Sequence, residues 1–262
     1  MGQSMQWDPR QYLAFADHRL RPALELLARV PLEQPKRVVD LGCGAGTVTG
    51  HLRRRWPAAE VTGVDSSPEM LAQAARVEMP GAPARWEQAD IGTWRPAAPV
   101  DLIYSNAALH WLGDHAAHFP RLAGLLAPGG VLAVQMPHNQ AAPSHTLMAR
   151  AAQAGPWRER VSGRTRTAPT VAEPAFYYDL LAPRCRSVDV WETEYQQVMS
   201  GENPVAEFTK GSALKYLLDA LEEPERSGFE AEYRRLVLEA YPKRHAGKTL
   251  FPFRRLFIVA QV

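Results

Sequence analysis

Between residues 37 and 137, short apolar runs alternate with stretches of helical spacing, and tight turns separate them. The runs predict strand 1 at 37–41, strand 2 at 60–65, strand 3 at about 84–88, strand 4 at Val100 to Ser105 and strand 5 at Val131 to Gln135. A helix is predicted from Thr47 to Trp56. Another opens at Ser66-Ser67-Pro68-Glu69, where serine can cap and proline fits the first turn. A third covers 114–126, and Pro128-Gly129-Gly130 turns the chain into strand 5. Upstream, Asp8 to Arg29 has helical periodicity, with Leu20, Leu24, Leu27 and Ala28 on one stripe. Pro31, Glu33 and Pro35 form the turn into strand 1. Repeated strand and helix with short turns predicts a parallel sheet covered on both faces.

The pattern changes after Pro137. Residues 138–185 are rich in Ala, Pro, Arg and Thr, with aromatics at Trp157, Phe176, Tyr177 and Tyr178. Strand character returns at Ser187 to Met199. Helical patterns follow at about 204–221 and 224–241, and Leu256 to Ala260 is a further strand. The expected fold class is therefore α/β, with a doubly wound, mainly parallel seven-stranded sheet and a helical cap inserted before the last strand. The expected organisation is one domain over 1–262, with 7–137 as the core and 138–185 and 200–248 as cap elements. Caps over a crevice commonly build a substrate pocket.

Composition narrows the function classes. A net charge of +2 over 262 residues gives no basic field for nucleic acid. No apolar run approaches a membrane span, and the first 20 residues lack the apolar segment of a signal peptide. Two cysteines, Cys43 and Cys185, exclude a disulfide framework and fit a reducing compartment, so the expected location is the cytoplasm. The expected assembly is a monomer or homodimer. The eight histidines have no metal-ligand spacing.

The chemistry concentrates at Lys36-Arg-Val-Val-Asp-Leu-Gly-Cys-Gly-Ala-Gly46. Gly42, Gly44 and Gly46 mark a strand turning sharply into a helix, where glycine permits positive φ and close approach of a ligand. The spacing is not that of a dinucleotide fingerprint, and the lysine of a phosphate loop is missing. Asp40, immediately before the glycines, suits a cationic ligand bearing an ammonium or sulfonium group better than a pyrophosphate. Strand 2 ends in a second acid, Asp65, 19 residues after Gly46. An acid at that place can bind both ribose hydroxyls of an adenosyl ligand, and would serve a nicotinamide cofactor equally. The pattern resembles motif I of the class I methyltransferases, and the resemblance implies S-adenosylmethionine as cofactor. Cys43, Ser66, Met70, Asp90, Ile91 and Asn106 complete the candidate cofactor set. Asp90 is placed for the adenine amino group and Asn106 for the amino acid end. Cys43 reads as a small filler. His110 and Trp111, after strand 4, could close over the methyl group or simply pack a loop.

Methyl transfer from a sulfonium needs orientation more than acid or base help. A carboxylate acceptor would need cationic and polar anchors. The candidates are Arg19, Arg21, His138, Asn139, Lys210, Lys215, Arg254 and Arg255. The segments Arg21 to Leu27, Trp56 to Ala59, Thr62 to Pro68, Asn106 to Trp111, Gly130 to Pro137 and Arg255 to Ala260 resemble the trans-aconitate 2-methyltransferase family. The likeness runs from about residue 7 to the C-terminus. It implies methylation of one carboxylate of trans-aconitate, with S-adenosylhomocysteine as the other product. Arg19, Arg21, His138, Asn139, Lys215 and Arg255 form the candidate substrate-binding set, and of these Arg21 and Arg255 fall in the family-like segments. His110, His138, Lys215 and Arg254 depart from the family pattern. His110, His138 and Lys215 favour an alternative, a methyltransferase acting at O, N or C of a biosynthetic intermediate. A non-catalytic S-adenosylmethionine-binding protein is the other alternative.

Overall fold

The computed structural model describes residues 16–161, 163–164, 170–211 and 213–262, with side-chain burial from residue 20 onward. Seven strands form one sheet in the order β3-β2-β1-β4-β5-β7-β6. They are β1 Arg37–Leu41, β2 Glu60–Asp65, β3 Arg85–Gln88, β4 Val100–Asn106, β5 Leu126–Pro137, β6 Ser187–Met199 and β7 Thr249–Gln261. β1 pairs in parallel with β2 and β4, β2 with β3, and β4 with β5, whereas β7 runs antiparallel to β5. The order reverses between β1 and β4. Ligands bind at such a point in open α/β sheets, beyond the carboxyl ends of the strands.

The helices are α1 Ala16–Arg29, α2 Thr47–Arg55, α3 Pro68–Ala74, α4 His115–Ala123, α5 Pro143–Gln153, α6 Arg158–Val161, α7 Pro174–Leu181, α8 Pro204–Lys210, α9 Ala213–Leu218 and α10 Glu225–Ala240. By contact the chain divides into two compact units. The first comprises Met1–Arg19, His138–Pro169 and Glu194–Arg254. The second comprises Leu20–Pro137, Thr170–Thr193 and Arg255–Val262. Each has its own apolar core. In the sheet unit, Val39, Leu41, Ile103, Leu132, Val134, Met136 and Ile258 meet Phe119 and Tyr177. In the other, Met148, Trp157, Phe208, Phe229, Leu236 and Phe251 pack together.

Two expectations need correction, and one segment holds helices that its composition did not announce. The buried face of α1 carries Pro22, Ala23, Leu26 and Leu27, with buried Val30 just past its end, while Leu24 and Ala28 face outward. Small Ala23 lets the helix lie close to the sheet, where Tyr104 donates its hydroxyl proton to the Ala23 carbonyl at 2.5 Å. Among the described residues, 138–185 contains three helices that the composition concealed. Pro143 and Pro174 stand at the first helical positions, where a missing N–H costs nothing, so they start helices instead of breaking them. β5 begins at Leu126, because Pro128-Gly129-Gly130 lies within the strand, beside a register irregularity between Val100 and Leu102 on β4.

Candidate active site

β1 ends at Leu41, and the glycine loop turns the chain into α2. Gly42, Gly44 and Gly46 have φ of 81°, 53° and 78°, all in the left-handed region. The three are not equivalent. A Cβ on Gly42 would lie 2.2 Å from Ala108 Cβ, and one on Gly46 would lie 2.8 Å from the Trp86 ring. Those two glycines let the loop pack. A Cβ on Gly44 would meet nothing within 4 Å. Gly44 therefore faces open space, as the cradle of a ligand must.

Asp65 holds this loop. Its Oδ2 accepts from Gly44 N at 2.9 Å and its Oδ1 from Ser67 N at 2.9 Å. The carboxylate thus links the glycine loop to the start of α3, where Ser67 Oγ caps Met70 N at 3.2 Å. Each oxygen retains acceptor capacity for a further donor. Ser66 is exposed and Met70 half-buried.

Asp40 is almost wholly buried at 1% exposure, and its Oδ2 accepts from Thr49 Oγ1 at 2.6 Å. Burial pushes its carboxyl up to about 7, with the Asp65 charge adding to the rise and the Thr49 bond opposing it. A cation bound nearby would favour the ionised form. Burial also raises the Cys43 thiol, with help from both aspartates, which disfavours a thiolate there.

Asp90, exposed after β3, accepts from Gly92 N at 2.8 Å and so forms a local turn. The Ile91 carbonyl is held by Arg121 at 3.0 Å. Beyond β4, Asn106 leads into Ala107, a non-glycine residue at φ 53°. Such a conformation stores strain and recurs at ligand sites. Asn106 Oδ1 is buried and has no hydrogen-bond partner among the described residues. An orphaned acceptor there suits the ammonium of a cofactor's amino acid end. His110 and Trp111 follow on a single 3₁₀ turn, with ring centroids 4.7 Å apart. His115 steadies this turn. The Leu109 carbonyl must accept from Nε2 at 3.0 Å, which leaves Nδ1 to accept from the Tyr177 hydroxyl at 2.7 Å.

The candidate anchors separate. In the sheet unit, Arg21 pairs with Glu25 at 2.8 Å on an exposed face of α1, while Arg255 is buried on β7. In the other unit, Lys215 pairs with Asp219 at 2.7 Å and Lys210 with Glu230 at 2.6 Å. Asn139 is buried there and His138 half-buried. Arg254 is exposed. The Arg19 side chain lies outside the described residues. Four residues escaped the sequence reading as site residues: Thr49, Ser67, His115 and Gln135. Of these, Ser67 carried the signal of a helix cap, and Gln135 that of a polar residue inside the apolar run Val131 to Met136.

A methyltransferase domain profile matches residues 38–130, the span from β1 to the start of β5. A trans-aconitate 2-methyltransferase of Azoarcus sp. strain BH72 is 51% identical over 97% of this chain and 98% of its own length. One from Methylobacterium radiotolerans is 47% identical over the same shares. The chain belongs to the trans-aconitate 2-methyltransferase family. It is an S-adenosylmethionine-dependent methyltransferase. The fold agrees: a methyltransferase structure from Bacillus halodurans superposes with a TM-score of 0.56 at 12% identity, over 92% of this chain and 98% of that one. The sequence-derived cofactor residues all belong to the sheet unit, at the carboxyl ends of β1, β2 and β4, in the loops after β1, β2 and β3, and in the first turn of α3. Among the described residues no group of His, Cys, Asp and Glu could hold a metal ion, and no helix is long and apolar enough to cross a membrane.

Proposed function

We propose that this enzyme forms the monomethyl ester of trans-aconitate, or of a closely related small polycarboxylate. The observation that carries the reading is Arg255. It is a guanidinium at 3% exposure, on the strand beside β5 and in the same compact unit as the glycine loop. A guanidinium presents five donors in a planar fork and can grip a carboxylate with two parallel bonds. The family's printed substrate supplies such carboxylates.

The bound S-adenosylmethionine supplies an electrophilic methyl on its sulfonium. The chain's own residues do the rest. Gly44 leaves room for the ligand, Asp65 braces the loop and keeps acceptor capacity for the ribose, and Asp40 offers negative charge to a cationic ligand. Asn106 takes the ammonium, and Asp90 with Ile91 flanks the adenine. Arg255 draws the acceptor carboxylate in and Arg21 supports it from α1. His110 and Trp111 close the site, excluding water. An ionised carboxylate is already a nucleophile, so no general base is needed, and catalysis rests on alignment and desolvation.

The test is kinetic. Arg255→Ala should lose about 2–5 kcal/mol of kcat/KM for trans-aconitate, as expected for a desolvated charge pair, while keeping S-adenosylhomocysteine affinity. Parallel melting separates this from a structural role. Wild-type turnover by Arg255→Ala, or loss of stability with unchanged kinetics, would overturn the anchor.

A further inference from the structure

The register of the sheet places a polar stripe on one face. Asp40 pairs with Tyr104, Asn106 with Gln135, and Gln135 with Phe257. Residues two apart on a strand share a face, so Asp40, Tyr104, Asn106, Gln135, Phe257 and Arg255 all lie on the same side. Three of them come from the carboxyl ends of β1, β4 and β5, where this architecture takes its ligands. The stripe lies wholly within the sheet unit.

Gln135 is fully buried. Its Oε1 accepts from Arg255 Nη1 at 3.2 Å. That bond sets the orientation of the amide, because a guanidinium can only donate. Nε2 therefore points away from Arg255, and it is buried without a hydrogen-bond partner among the described residues. An unmet donor in the interior costs free energy unless something arrives to accept from it. The group that satisfies it must be an acceptor, and next to a guanidinium the best acceptor is an anion.

We propose that Gln135 is a substrate-binding residue that acts with Arg255 as a two-armed carboxylate clamp: Nε2–H donates to a carboxylate oxygen of the acceptor, and Oε1 holds the guanidinium in the orientation that grips it. The proposal rests on the carboxylate reading above and extends it to a residue outside the candidate substrate-binding set. Position decides which carboxylate is meant. Strands lie about 4.8 Å apart, which puts the strand of Gln135 roughly 10 Å from that of Asp40 and the strand of Arg255 farther still. Asp40 and Asn106 serve the cofactor side. Gln135 and Arg255 lie one and two strands beyond Asn106, on the side left for the acceptor.

The clamp separates two variants that a purely structural role would not. Gln135→Glu keeps an acceptor for Arg255, and strengthens that bond, but replaces the donor with a negative charge. Gln135→Met keeps the volume and removes both polar atoms. The experiment is calorimetry of trans-aconitate binding to the full chain saturated with S-adenosylhomocysteine, beside melting curves and steady-state kinetics. Gln135→Glu should fold, bind S-adenosylhomocysteine as wild type does, and bind trans-aconitate about 30-fold or more weakly. Gln135→Met should lose about 10-fold and show the loss mainly in KM. If Gln135→Glu does not fold, the Met variant carries the test alone. Wild-type trans-aconitate affinity in either folded variant overturns the clamp while leaving the carboxylate reading intact. A loss of S-adenosylhomocysteine affinity instead would assign Gln135 to the cofactor and also overturn it. If the wild-type chain itself binds no trans-aconitate or related polycarboxylate, the carboxylate reading and the clamp fall together.

Discussion

Removing the charge of Asp40 should stabilise the empty enzyme while weakening its hold on the cofactor. The carboxyl is 1% exposed, and burial pushes it up to about 7 from an ordinary 3.8. A raised acid stabilises the fold fully below the unfolded value, and that contribution is lost as pH rises through the folded one. The window is therefore pH 4 to 7. At pH 8 the ionised group costs about 4 kcal/mol relative to a group unshifted by folding. Asp40→Asn keeps an acceptor for Thr49 Oγ1 and adds an amide NH2 whose two donors must find partners. Allowing for that, the variant should be more stable at pH 8 by roughly 2–4 kcal/mol, a melting point about 4–8 °C higher. Near pH 4 the two proteins should melt together. S-adenosylmethionine affinity at pH 8 should fall in the same variant, because the opposite charge is gone. Melting and titration calorimetry from pH 4 to 8 read both effects. A variant that melts with or below wild type at pH 8 would show that burial does not hold the Asp40 carboxyl above its ordinary range.

The glycines should respond differently to one methyl group. Gly44→Ala should cost about 1–2 kcal/mol for its left-handed backbone, stay folded, and lose cofactor binding, whereas Gly42→Ala should destabilise the sheet unit outright, because its Cβ would meet Ala108; calorimetry and melting distinguish the two. Burial lowers the His115 imidazole below its ordinary 6.5, with nearby His118 contributing, so the stability it confers is present at neutral pH and lost as pH falls below 6.5. His115→Phe should therefore cost about 1–3 kcal/mol at pH 8, by stranding the Leu109 carbonyl and the Tyr177 hydroxyl, and the gap from wild type should narrow in acid, as denaturant titration at several pH values would show.

Much of the sheet was legible because buried parallel strands are short apolar runs closed by glycine or acid. β1 and β2 fall where the runs place them, and β4 extends one residue further. The α1 stripe was misphased because two apolar stripes overlap in that helix, and only contact with Tyr104 chooses Ala23 over Leu24. The helices of 138–185 were hidden by prolines whose effect depends on whether they start a helix or fall inside it. Within the site, the glycine loop and both acids were visible as a motif. Which glycine faces a ligand was not, since that depends on where Ala108 and Trp86 arrive from elsewhere in the chain. Gln135 was visible only as an oddity in an apolar strand. Its meaning required the partner 120 residues away.

The most direct measurement is product identification. The enzyme should be incubated with methyl-labelled S-adenosylmethionine and trans-aconitate, and the products resolved by mass spectrometry. The expected result is label in a base-labile monomethyl ester of trans-aconitate, formed one-for-one with S-adenosylhomocysteine. Label that ignores trans-aconitate and passes instead to an uncharged acceptor from a cell extract would contradict the polycarboxylate pocket.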